Sequence, residues 1–298
     1  MIEPWVLAAL AAASAQTLRF ALQKRVAAGL GAVGATYARF VWSAPLAAAA
    51  VAALMASGTP LPATPPAFWA WAALGGLMQI LATLALVSLF GLRHFAVGVT
   101  FKKTEVILTA LAGWLILGEA LPPAAVASLA VGLAGVVLLA APPDAAGPLA
   151  GRVLNRAAGL GLLSGAAFAL SAVAYRAATL ALDAGTPMRA ALALAVVTAM
   201  QAAAMTIWLA LRGRATLRAT LARWRATAPI GLASALGSLG WFAAFSMQSA
   251  ALVFAVGQVE LIFSLAIGRL MFAERPGRRE LVGVALVGAS VVTVALAG

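Results

Sequence analysis

The sequence has no cysteine and a single histidine, His94. The first absence excludes disulfides, thiolate metal sites and cysteine nucleophiles, and the second excludes a multi-histidine metal centre; the place of His94 in a short loop between the third and fourth expected spans argues against a Ser/His/acid set. Charge is scarce as well: only 9% of the 298 residues are charged, with 8 acidic against 20 basic. Such a chain has too little polar surface to coat a water-soluble globule. The glycine clusters "GAVG", "GLAG" and "GLGLLSG" lie within or beside apolar runs, with no Walker lysine and no strand before them, which excludes a phosphate loop. No cofactor is expected. Enzyme chemistry would have to rest on carboxylates alone, and the chain is not read as an enzyme.

What is present is hydrophobicity: 64% of residues are apolar and the mean hydropathy is +1.04. Apolar stretches recur that are long enough to cross a hydrocarbon core of about 30 Å as helices. The expected class is an all-α integral membrane protein with ten transmembrane helices, at 4–22, 34–56, 67–90, 95–117, 124–141, 157–181, 188–210, 227–248, 252–273 and 279–297. The first is read as a retained span, since no basic leader precedes it and no polar domain follows. Turn chemistry separates the spans, as in "SGTPLPATPP" and "ERPGRRE", and the longest Pro/Gly-rich linker lies near the middle of the chain. Residues 1–141 and 157–298 are therefore expected to be two five-helix units joined by a linker at 142–156.

The two units align on each other. At a constant offset of 155 residues, Phe90 meets Phe245, Glu105 meets Glu260, Gly113 meets Gly268, Glu119 meets Glu274 and Gly76 meets Gly231. Five helices per unit is an odd number, so the second unit enters the membrane in the opposite sense, which makes an inverted repeat with any shared site near the midplane. Basic residues concentrate in the loops after odd-numbered helices, from Lys24 and Arg25 to Arg275, Arg278 and Arg279. The positive-inside rule then puts those loops in the cytoplasm and both termini outside. Topology accounts for the net charge of +12, and nucleic acid is not an expected partner.

The segment "FKKTEVIL" sets Lys102, Lys103 and Glu105 inside an expected span, and Glu260 stands at the equivalent depth. An ionisable group at that depth costs at least about 2.5 to 3.5 kcal/mol and normally faces a bundle interior or a wet cavity. Two lysines with two glutamates suit a zwitterion, the lysines facing its carboxylate and the glutamates its amine. A buried Lys102/Glu105 pair would also serve as a lock on helix packing with no ligand contact, Lys103 snorkelling. Gln258 lies opposite Lys103 under the offset, and Trp241 is placed to wall a cavity. Arg19 and Arg39 are expected to snorkel or pair, and Arg176 beside Tyr175 is, to within two residues, the second-unit counterpart of Arg19. Arg269 is expected at a gate or snorkelling, and Glu119 and Glu274 as acids at helix ends.

The paired segments "KKTEVILTALAGWLILGEALP" and "GQVELIFSLAIGRLMFAERPG" resemble the EamA-type transporters of the drug/metabolite transporter superfamily. In those proteins each half ends in an acidic helix terminus, a short turn and a Gly-rich last helix. Gly118 and Glu119 before 131–139, and Glu274 before 283–296, follow that layout. The resemblance covers the full length. It implies a multi-pass carrier of a bacterial-type cytoplasmic membrane working by alternating access, most often exporting amino acids or similar small zwitterions, as a monomer or homodimer in the bilayer. Many members carry proline-containing polar motifs where this chain has Lys102 to Glu105, and many keep their termini inside. The proton-coupling glutamate in helix one of the small four-helix members has no counterpart here. Proton coupling stays open, as do a lipophilic cation or drug exporter and, from another class, a non-transporting membrane subunit or membrane enzyme.

Overall fold

The computed structural model describes residues 3–118 and 155–297, with residues 131, 134, 135 and 138 between them. Among these, all regular structure is helical. The elements are α1 (Pro4–Ala56), α2 (Pro66–Phe90), α3 (Phe95–Lys102) and α4 (Thr104–Leu117) in the first part of the chain. The second part holds α5 (Arg156–Leu180), α6 (Thr186–Arg212), α7 (Arg214–Ala222), α8 (Trp224–Met247), α9 (Ala250–Val256), α10 (Val259–Phe272) and α11 (Arg278–Ala297). Among the described residues, five helices are long and apolar enough to cross a membrane, or six if α9 and α10 form one bent span. That is the composition of a multi-pass membrane protein. The expected span at 124–141, the linker before Asn155 and Glu119 lie outside the described residues.

α1 is 53 residues long, and its one non-helical residue is Gly31, at φ 68° and ψ 173°. The Gln23 side-chain amide donates to Ala35 O at 3.1 Å. Twelve residues of straight helix would put those positions about 18 Å apart, so the arms on either side of Gly31 fold back on each other. A loop was expected over 23–33; instead the helix runs through "QKR" and turns at one residue. The left-handed conformation suits glycine because it has no Cβ to clash. A second difference is α7, between the expected spans. Its arginines leave it too polar to read as a membrane helix, yet Leu217 packs inward and Thr220 is buried, a one-sided pattern on a short surface helix.

The core is made of close helix contacts at small residues. Both arms of α1 pack on α8, and α2 packs on α5. A Cβ added at Gly240 would lie 2.8 Å from Ala8 O, and one at Gly161 would lie 2.6 Å from the Phe101 ring. Without those side chains the backbones approach closely enough for dispersion contacts to hold the bundle together.

The expected continuous helices at 95–117 and 252–273 are each broken. α3 gives way to α4 at Lys103, and α9 to α10 at Gly257 and Gln258. The backbone stays near helical angles there, but the hydrogen bonds tighten to three-residue steps. Lys103 N donates to Thr100 O and Val106 N to Lys103 O; in the second half Gln258 N donates to Ala255 O and Leu261 N to Gln258 O. The second pair bends by 41°. Both breaks obey the 155-residue offset: α3 and α9 begin at 95 and 250, and α4 and α10 run over 104–117 and 259–272. Each of the two longer pieces ends in a left-handed residue, Gly118 at φ 71° and Ala273 at φ 52°.

Candidate functional site

The breaks bring four charges together. Glu105 is in the first turn of α4 and Glu260 in the first turn of α10, while Lys102 ends α3. Lys103 sits in the gap and reaches across to Gly257 O, past the end of α9, at 3.4 Å. Acids at helix starts and cations at helix ends complement the exposed backbone dipoles, so each break supplies part of the field that its charges need. Lys102 Nζ lies 2.7 Å from Glu105 Oε1 and 3.4 Å from Glu260 Oε2. Lys103 Nζ lies 2.6 Å from Glu260 Oε2 and 3.8 Å from Glu105 Oε1. All four side chains are at most 1% exposed. Lys103 therefore does not snorkel; it bridges the two halves of the chain.

The surroundings of the two carboxylates differ. Glu260 Oε1 accepts from the Gln16 amide. Gln16 Oε1 in turn accepts from Arg19 at 3.0 Å and from the Trp241 indole at 3.1 Å. Both of those partners are donors only, which fixes the orientation of the amide. Glu105 has no such shell. Its Oε1 faces the two lysines, and its buried Oε2 has no hydrogen-bond partner. Three rings flank Lys102, with centroids 5.0 Å away for Phe168, 5.3 Å for Phe20 and 5.8 Å for Phe254. Their faces add cation–π attraction in place of water.

A narrow cleft of about 20 Å³ opens beside this cluster. Lys102, Glu105 and Gln16 line its polar end, and Trp241, Phe242 and Phe254 are among its aromatic walls. Lys103 and Glu260 do not line it. The walls stand so close that the cleft has room for a water or two in this conformation. At its far side the Tyr175 hydroxyl donates to Gln79 Oε1 at 2.9 Å, and the Tyr175 ring lies against Phe242 with centroids 4.5 Å apart.

The other expected site residues take structural positions. Arg19 and Arg39, expected to snorkel or pair, are each 1% exposed and paired: Arg39 donates to Ser234 at 3.1 Å and to Thr83 at 2.6 Å. Arg176 donates to Phe245 O and Gln248 O and closes the end of α8. Gln258 donates to Phe254 O at 2.8 Å and stays outside the cleft, while Arg269 is exposed. Glu274 forms an ion pair with Lys24 and accepts from the Phe95 N–H at 2.6 Å, joining α1, α3 and the end of α10. Ser171, which lines the cleft, was missed: a lone serine in an Ala-rich helix gives no signal in sequence.

Among the described residues no group of three or more potential ligating side chains is placed to hold a metal ion. No family model and no curated protein matches the chain. A solved crystal structure is similar over 98% of this chain and 95% of that one, at 19% identity and a TM-score of 0.65. At that identity the likeness is one of fold alone.

Proposed function

We propose that this chain is a secondary carrier of the EamA type in a bacterial cytoplasmic membrane, built from two inverted five-helix repeats and exporting amino acids or similar small zwitterions. The observation that carries the reading is the placement of the charges: two cations and two anions, deep in an apolar bundle, at two matching helix breaks, the first of which lines a cleft through Lys102 and Glu105. Discontinuous helices whose ends point at a midplane site are a recurring transporter device. The repeat is supported by the shared element boundaries and by a crossed pair of contacts. A Cβ at Gly231 would strike Trp42, and one at Gly76 would lie 3.7 Å from Val197, the residue 155 positions beyond Trp42. Each half offers its glycine to the other half's partner, as a two-fold axis demands. The tightness of the cleft fits an occluded stage of alternating access.

A second reading, export of lipophilic cations, draws on the aromatic walls and Glu105. Flux of labelled amino acids and of lipophilic cations into proteoliposomes, with and without a pH gradient, separates the two. Saturable amino acid flux that is lost in Glu105→Gln is the expected result, and a response to the gradient would add proton coupling. Cation flux alone would install the second reading; flux of neither would overturn both.

A further inference from the structure

Under the 155-residue offset, Glu260 corresponds to Glu105, and the three groups around Glu260 can be followed to their counterparts. Gln16 maps to Ser171, Arg19 to Ala174 and Trp241 to Leu86. Each long polar donor on one side is thus replaced by a side chain that is short or apolar on the other. The result is the difference described above: Glu260 is fully dressed and away from the cleft, whereas Glu105 lines the cleft and its buried Oε2 has no hydrogen-bond partner. An unmet buried acceptor is unfavourable, the more so when it is charged, and a ligand donor placed there recovers that loss.

The cations offer no such opening. Lys102 lies within 3.4 Å of two carboxylates, and Lys103 holds Glu260 at 2.6 Å. A ligand carboxylate entering the cleft would have to displace a carboxylate already in place, while an ammonium finds a free acceptor. We infer that Glu105 Oε2 is the anchoring acceptor for a ligand's primary ammonium group beside Ser171, and that Glu260 and Lys103 form a fixed pair that does not touch ligand. The ligand class is an amine, with or without a carboxylate, whose apolar part lies along Trp241, Phe242 and Phe254. This assignment rests on the carrier reading and adds an order of importance to its two charged ends.

The test is binding to the purified full-length protein in lipid nanodiscs with two matched sets of probes. One set is leucine, 3-methylbutylamine and 4-methylpentanoate; the other is phenylalanine, phenethylamine and 3-phenylpropanoate. Within each set the acid without an amine should bind roughly 10- to 100-fold more weakly than the amine without a carboxylate, the range expected for one charge-assisted hydrogen bond. Glu105→Gln should shrink that ratio at least several-fold. Ser171→Gln supplies the missing donor from within the protein, so it should shrink the ratio too while leaving the melting temperature unchanged or higher, which damage to the fold could not do. Equal binding of acid and amine, or a ratio that neither variant moves, would overturn the assignment and leave the carrier reading intact. If no probe binds the wild type and none crosses in proteoliposomes, both fall together.

Discussion

The two halves of the molecule place a glutamate at the same register, in the first turn of a helix that begins at a break, and then treat it in opposite ways. Around Glu260 the chain invests Gln16, Arg19 and Trp241 in one connected set of hydrogen bonds. Around Glu105 it leaves a cleft. Backbone register and side-chain chemistry are thus separable: the two matching breaks supply equivalent stations for charge, and a few side chains decide which station is filled from within. The comparison also separates a structural acid from an available one, which burial alone could not, since both are fully buried.

The largest expected effect that sharpens this contrast is on stability. Glu260→Gln leaves Lys103 with only the Glu105 carboxylate at 3.8 Å and should destabilise the protein by about 3–5 kcal/mol, the usual range when one member of a buried pair is removed. Glu105→Gln should cost clearly less, because one of its oxygens has no partner to lose and the cleft admits water. Thermal unfolding in nanodiscs compares the two. Equal losses would erase the distinction between the stations.

A smaller effect probes the crossed glycine contacts. Gly231→Ala drives a methyl into Trp42, including its backbone, and should cost on the order of 1–3 kcal/mol. Gly76→Ala meets Gln201 at an ordinary 3.5 Å and should fall within about 0.5 kcal/mol of wild type. If the order is reversed under the same unfolding assay, the packing at the two crossings is not as described.

The smallest effect concerns the helix ends at Gly118 and Ala273. Both are left-handed, but only the first is glycine. Ala273→Gly should stabilise by about 1 kcal/mol and Gly118→Ala should destabilise by about the same. A melting temperature that does not move in opposite directions for the pair would show that the left-handed caps do not persist.

Much of this was visible in the sequence because register survives where detail does not. Glu105 and Glu260 stand out as acids in apolar runs, and one offset carries them, Gly76 and Gly231 into register without a gap. The helix breaks were not visible. Neither holds a proline, and a switch from four-residue to three-residue hydrogen bonds leaves no mark on hydropathy. The turn at Gly31 was hidden for the opposite reason: Lys24 and Arg25 look like loop residues, yet Lys24 finds Glu274 and the helix continues past them. Ser171 could acquire meaning only once the fold showed what it faces and what stands in its place across the repeat.

The turn at Gly31 bears on how the chain enters the bilayer. With a single residue between two apolar arms, no soluble segment separates the first crossing from the second, so the nascent chain cannot commit one arm and hold the other in water. The arms are then expected to go in as a helical hairpin, with the basic pair at 24 and 25, close to its tip, settled in that one event. A polar insertion of ten residues after Gly31 would uncouple the two arms, and protease protection of truncated nascent chains would then show a one-arm intermediate that the natural sequence lacks.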